Sequence, residues 1–145
     1  MNEPIFHTQC RVLYGDTDAA GVVYNANYLR YFELVRTELM RAWVIPYRDI
    51  EKLGIIMPVA ECFSRFKAPA HYDDLLTIET SIGDLRKFSC RFNYRITRQE
   101  NGAKKPKLLV KGYTLHASVD LKGKLTAIPE EIITKLESLV ENQIV

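Results

Sequence analysis

The 145 residues lack the common nucleophile-elbow, nucleotide-loop and metal-spacing motifs. Cysteine is scarce: Cys10, Cys62 and Cys90 are an odd number, widely spaced, with no CxxC pair. That excludes a disulfide framework and a cysteine zinc site, and reads as small buried side chains in a reducing compartment. His7, His71 and His116 show no HxxxH or HxH spacing, so no metal is expected. No apolar run approaches the roughly 18 residues of a membrane-spanning helix. Met1-Asn2-Glu3-Pro4 lacks the basic-then-apolar layout of a signal peptide, and a cytoplasmic location is expected. There is no GxSxG elbow, no Walker loop and no GxGxxG. Charge of one sign is also lacking. The net +2 gives no reason to expect nucleic acid, and Lys104-Lys105-Pro106-Lys107 after Asn101-Gly102 reads as a solvated hairpin tip.

What is present is an ordinary globular composition, 47% apolar and 26% charged, in a length that suits one domain over residues 1–145. Ile5 to Tyr14 reads as a strand with Phe6, Val12 and Tyr14 on one side. Tyr28, Tyr31, Phe32, Val35, Leu39, Ala42 and Trp43 then recur at three- and four-residue spacing, the stripe of one helix face. Asn25 or Asn27 can cap this helix, and Pro46 stops it near Ile45. Glu33 and Glu38 read as solvent-facing partners for Arg36 and Arg41. A short helix over Tyr47 to Leu53 precedes strands at Met57–Lys67, Leu75–Leu85, Lys87–Gln99 and Lys107–Asp120. The alternation in the second and third of these is the strongest strand signal. On the fourth, Leu109, Tyr113, Leu115, Ala117 and Val119 are expected on one side. Pro129 opens a last helix whose Ile132, Ile133, Leu136, Leu139 and Val140 form an apolar stripe. About five antiparallel strands with one apolar face need a cover, and only the helix from Tyr28 is long enough to supply it. The expected fold is α+β: a sheet wrapped around one long helix, the hotdog arrangement, with a C-terminal helix.

The stretch between the first strand and the long helix, "YGDTDAAGVVYNANY", places Asp16 and Asp18 in a glycine-containing turn. Asp and Gly are common turn residues. The same placement also sets a carboxylate near a helix N-terminus, whose free N–H groups can stabilise an oxyanion. A thioester suits such a pair, because thiolate leaves with little acid assistance. Asp18 would attack its carbonyl or activate a water.

The stretch "RVLYGDTDAAGVVYNANYLRYFELVRTEL" resembles the signature of the 4-hydroxybenzoyl-CoA thioesterase family of hotdog proteins, particularly its YbgC-like acyl-CoA thioesterase branch. The likeness continues through "SRFKAPAHYDDLLTIET" and "GYTLHASVDLKGKLTAIPEE", over about residues 8 to 132. The resemblance implies that Asp18 is the catalytic carboxylate and Asp16 a loop organiser. It implies that the backbone N–H of Asn25 polarises the thioester carbonyl, with Gly21, Val22, Val23, Tyr24 and Tyr28 around the substrate. Many YbgC-like members carry His at position 25; this chain departs from them, keeping the backbone donor and losing the side chain's acid–base help. Arg86 and Lys87 fall where basic residues of related proteins meet coenzyme A phosphates.

The implied reaction is hydrolysis of acyl-CoA to a free acid and coenzyme A, with no cofactor beyond the coenzyme A of the substrate. A thioesterase acting on acyl carrier protein or an aromatic acyl-CoA, or a non-catalytic acyl-CoA-binding scaffold, stands as the alternative. The resemblance also implies a homodimer with a sheet continuous across both chains, or a homotetramer of two such pairs.

Overall fold

The computed structural model describes residues 1 and 3–140; the expected domain end at residue 145 lies outside them. Five strands form one antiparallel sheet: β1 (Phe6–Arg11), β3 (Val59–Phe66), β4 (Leu75–Leu85), β5 (Ser89–Arg98) and β6 (Lys107–Ala117), in the order β1-β4-β5-β6-β3. A separate pair joins β2 (Ile55–Ile56) to β7 (Val119–Asp120). The fold is the α+β hotdog that the sequence led us to expect.

Helix α1 (Asn27–Leu39) covers the sheet because its stripe is continuous: Tyr28, Tyr31, Phe32, Val35 and Leu39 are all buried. Phe32 stacks on Tyr94 of β5 with ring centroids 4.2 Å apart. Gly112 of β6 permits this approach, since a Cβ there would stand 3.2 Å from the Phe32 ring and 2.1 Å from the Phe63 carbonyl oxygen.

Several expectations need correction. The long helix is not a single α-helix to Ile45: after Leu39 it widens into a π-turn over Met40–Val44. Ile45 is then extended, as the residue before Pro46 prefers. Lys135 of α3 (Glu130–Glu137) donates from Nζ to the Val44 carbonyl left without a helical partner. Neither Asn25 nor Asn27 caps α1; Ala26 is the N-cap residue. The first strand stops at Arg11, and Tyr14 is 79% exposed in a 3-10 turn, its ring against Tyr72.

The apolar side assigned to the last long strand fails beyond Val110. A register shift at Ile96/Thr97, opposite Leu108 and Val110, buries Leu109 and Val110 in succession. From there Thr114 and His116 face inward, and Tyr113 and Leu115 turn outward. Cys90 is buried, Cys10 partly so, and Cys62 is exposed rather than buried. Glu38 pairs with Arg41 as expected, but Glu33 and Arg36 do not pair; Arg36 points into the core.

Candidate active site

Val12 anchors the start of the site loop: its N–H donates to Asp74 and its carbonyl accepts from Asp73. The 3-10 turn Tyr14–Asp16 then buries the Asp16 side chain. Asp16 Oδ2 accepts from the Leu13 N–H and the Tyr31 hydroxyl, each at 2.9 Å. Its main-chain oxygen accepts from the Tyr24 N–H at 2.9 Å and from Asn27 Nδ2 at 2.8 Å. One residue thus ties together the outgoing chain, the returning chain and the first turn of α1. Asn27 is already the first helical residue, one past the N-cap position, and its side chain makes this tie instead of capping. Burial and the bond to Asp16 push the Tyr31 phenol well above its ordinary pKa, so it stays a donor.

Between these ties the chain makes a small hairpin. Thr17 bridges Val23, the Asp18 N–H donates to the Val22 carbonyl at 2.9 Å, and Gly21 supplies a φ of 82° that side chains resist. Val22 bridges His71 and the Val23 N–H donates to Ala70, so the hairpin is fastened to the chain entering β4. Asp18 is exposed at the hairpin. Its Oδ1 accepts from the Ala20 N–H at 2.8 Å; Oδ2 has no hydrogen-bond partner among the described residues. A carboxylate held by one oxygen with the other open can act on an incoming group.

The backbone N–H groups of Asn25 and Ala26 donate to nothing among the described residues, at the positive end of a 13-residue helix. Val23, Asn25 and Tyr28 line a cavity of about 310 Å³, closed on the other side by Phe66, Lys67 and Pro69. That wall was not foreseen; the only sequence signal for it was the break in strand pattern at Pro69. Tyr28 is buried, burial raising its phenol pKa, and accepts from the Ala70 N–H. Tyr24 is 51% exposed.

Asp18, Gly21, Val22, Val23, Tyr24, Asn25 and Tyr28 therefore share one loop and helix start. Arg86 and Lys87 do not join them. They follow the far end of β4, roughly 33 Å of extended strand from its beginning. Both are exposed; Arg86 Nε pairs with Asp84 at 2.8 Å and Lys87 Nζ stands 5.4 Å from the Phe88 ring centre. They line a cavity of about 950 Å³ shared with the acids Asp84, Glu130 and Glu137. This hollow thus lies away from the loop chemistry, and its mixed charge does not make it an anion trap.

One buried assembly has no counterpart in the sequence reading. His116 Nδ1 lies 2.9 Å from the Met57 carbonyl, which can only accept, so Nδ1 carries the proton. Nε2 therefore accepts from Thr114 Oγ1 at 2.8 Å, Thr114 accepts from the Tyr94 hydroxyl at 2.6 Å, and Tyr94 accepts from Arg36 at 2.9 Å. Each bond fixes the direction of the next. Burial, with the nearby Arg36 charge adding to it, lowers His116 to about 4, and the ring is neutral.

A profile of the thioesterase-like superfamily matches residues 12–136. The acyl-CoA thioester hydrolase YbgC of Escherichia coli O6:H1 is 36% identical over 138 residues, spanning 94% of this chain and 99% of that one. Among solved structures, a hypothetical protein from Thermus thermophilus superposes with a TM-score of 0.84 at 30% identity, covering 93% and 97% of the two chains. A 4-hydroxybenzoyl-CoA thioesterase, solved as an aspartate-to-asparagine mutant with 4-hydroxybenzoyl-CoA, gives 0.79 at 28% identity, covering 91% and 98%. The fold and these likenesses define a hotdog thioester hydrolase. The chain belongs to the thioesterase-like superfamily, beside YbgC and 4-hydroxybenzoyl-CoA thioesterase relatives.

Proposed function

We propose that the protein hydrolyses acyl-CoA thioesters to a free acid and coenzyme A. The observation that carries this reading is the pairing, on one anchored loop, of an exposed carboxylate with two unpartnered amides at a helix N-terminus. Asp18 acts as nucleophile or general base, and the Asn25 N–H, with that of Ala26, receives the carbonyl oxygen as charge develops on it. Gly21, Val22, Val23, Tyr24 and Tyr28 line the substrate. No cofactor is needed, since coenzyme A arrives with the acyl group, and the acyl-CoA names of the relatives support that substrate class. The aromatic substrate of one relative keeps an aromatic acyl-CoA as a second reading.

Two features support an assembly of two chains or more. β3 is an edge strand of eight residues, seven of them exposed, including Phe63 and Phe66. An open apolar edge of this length is a template for another strand. Arg86 and Lys87 are also too far along β4 to meet a substrate at Asp18 of their own chain, so a phosphate role for them calls for a second copy. A cytoplasmic location fits this reading; no helix among the described residues is long and apolar enough to cross a membrane.

The decisive test is Asp18→Asn, assayed by thiol release from a panel of acyl-CoA thioesters. The amide keeps the size and the bond from Ala20 but is a poor base and a poor nucleophile. We expect a normally folded protein that still binds coenzyme A and loses at least roughly 100-fold in kcat. Retention of more than about a tenth of kcat would reduce Asp18 to a turn residue.

A further inference from the structure

The outward relay from His116 ends at a guanidinium that has more donors than partners. Arg36 spends one N–H on the Tyr94 hydroxyl; its other N–H groups bond nothing among the described residues, and no ion pair within 4.0 Å involves it there. It was expected on the solvent side of α1. Instead it is partly buried, and with Met40, Met57, Phe92 and His116 it lines a cavity of about 230 Å³ at which exposed Glu33 also stands. The walls are mostly apolar, and the Arg36 nitrogens not bonded to Tyr94 are not sealed off, so they are open to whatever enters the cavity.

Two further facts say that this hollow is built. Met40, on its wall, is the first residue of the π-turn, where α1 widens; such interruptions recur at functional sites. The relay from the Met57 carbonyl through His116, Thr114 and Tyr94 fixes the guanidinium from behind. A side chain held this way loses little further freedom on binding. Arg36 lies nine residues beyond Asn27, about 14 Å along the helix axis from the end that faces the thioester.

We propose that this cavity is the distal end of the acyl site and that Arg36 selects acyl groups ending in a carboxylate. The apolar walls take the methylene chain, and the free guanidinium edge takes the terminal carboxylate through charge-assisted hydrogen bonds. Glu33 opposes the same carboxylate and limits the preference. Tyr94, Thr114 and His116 are positioning residues. The inference rests on the thioesterase reading given above.

The experiment compares CoA thioesters of equal length that end in methyl or carboxylate: hexanoyl against adipoyl, octanoyl against suberoyl. The readout is the ratio of kcat/KM, carboxylate over methyl, in the wild type, Arg36→Gln and Glu33→Gln. Gln at position 36 removes the charge but falls short of the Tyr94 hydroxyl that Nη1 reaches. Any loss of packing is shared by methyl- and carboxylate-ended substrates, so a purely structural arginine would leave the ratio unmoved. We expect the wild type to favour the carboxylate at one length at least. Arg36→Gln should lower that ratio roughly ten- to hundredfold, and Glu33→Gln should raise it. An unchanged ratio in Arg36→Gln, with thioesters still cleaved, overturns the proposal and leaves the thioesterase standing. If no thioester is cleaved the functional reading fails, and free adipate decides the site. Shifts of the His116 ring resonances on adding adipate to the wild type, lost in Arg36→Gln, support it; their absence from the wild type overturns it.

Discussion

Lowering the pH from about 7.5 to about 5 should cost the protein about 2 kcal/mol of stability through His116 alone. The folded ring titrates near 4, below its ordinary 6.5, because burial and the neighbouring Arg36 disfavour the cation. As pH falls, the unfolded chain therefore binds the proton first. The contribution is whole above 6.5, declines as pH drops toward 4, and is flat below that. Between 6.5 and about 5 the loss is about 1.5 pH units at 1.36 kcal/mol each. For a chain of this length that corresponds to a Tm lower by roughly 6 °C. Thermal unfolding at fixed protein concentration should be run on the wild type and on His116→Gln, which can donate and accept but cannot titrate. Carboxylates titrate in both and cancel, so the wild type's advantage should shrink by about 2 kcal/mol over this range. Ring NMR should show His116 protonated on Nδ1, with its midpoint well below those of free imidazoles. A midpoint within about half a unit of the unperturbed value, or a gap that does not change with pH, would refute the neutral relay. Should the Gln protein not fold, the NMR titration alone decides.

Asp16→Asn should lower stability by about 1–3 kcal/mol, since a buried acceptor of two hydrogen bonds loses its charge. In the folded fraction, kcat should fall far less than in Asp18→Asn; equal losses would merge the two roles. Replacing Arg86 and Lys87 together by Ala should raise KM more than it lowers kcat and flatten the salt dependence of kcat/KM. An unchanged KM would place the phosphates elsewhere. Light scattering at micromolar concentration should give a mass at least twice the monomer's 16.7 kDa, and a monomer would remove the shared-site argument.

Much of this architecture could be read from local pattern. The stripe Tyr28, Tyr31, Phe32, Val35, Leu39 names the buried face of α1, because one face of a helix is a property of spacing. Its continuation to Ala42 and Trp43 fails, since both are exposed in the π-turn. β4 and β5 were legible for the same reason. β6 was not: one register shift reverses every side chain beyond it, and nothing at Leu109-Val110 marks the shift. The end of α1 failed because a π-turn has the composition of a helix. At the site, Asp16 and Asp18 were visible as acids in a glycine-containing turn before a helix, and the structure places both there. The relay was invisible, for its members come from α1, β5, β6 and the Met57 carbonyl, far apart in sequence. Arg36 was misplaced because a long side chain can leave the face that its position implies.

The one-way order of the relay has a consequence for inheritance. Thr114 must give its proton to His116 and take one from Tyr94, so no member can change character alone. Loss of His116 to an apolar residue strands the Thr114 hydroxyl, and loss of Tyr94 to Phe strands Arg36 and Thr114 together. Removing both partners of such a bond is far cheaper than removing one. Descent should therefore treat positions 36, 94, 114 and 116 as a single character: kept whole in some lineages, exchanged whole for apolar packing in others, and seldom found half-changed.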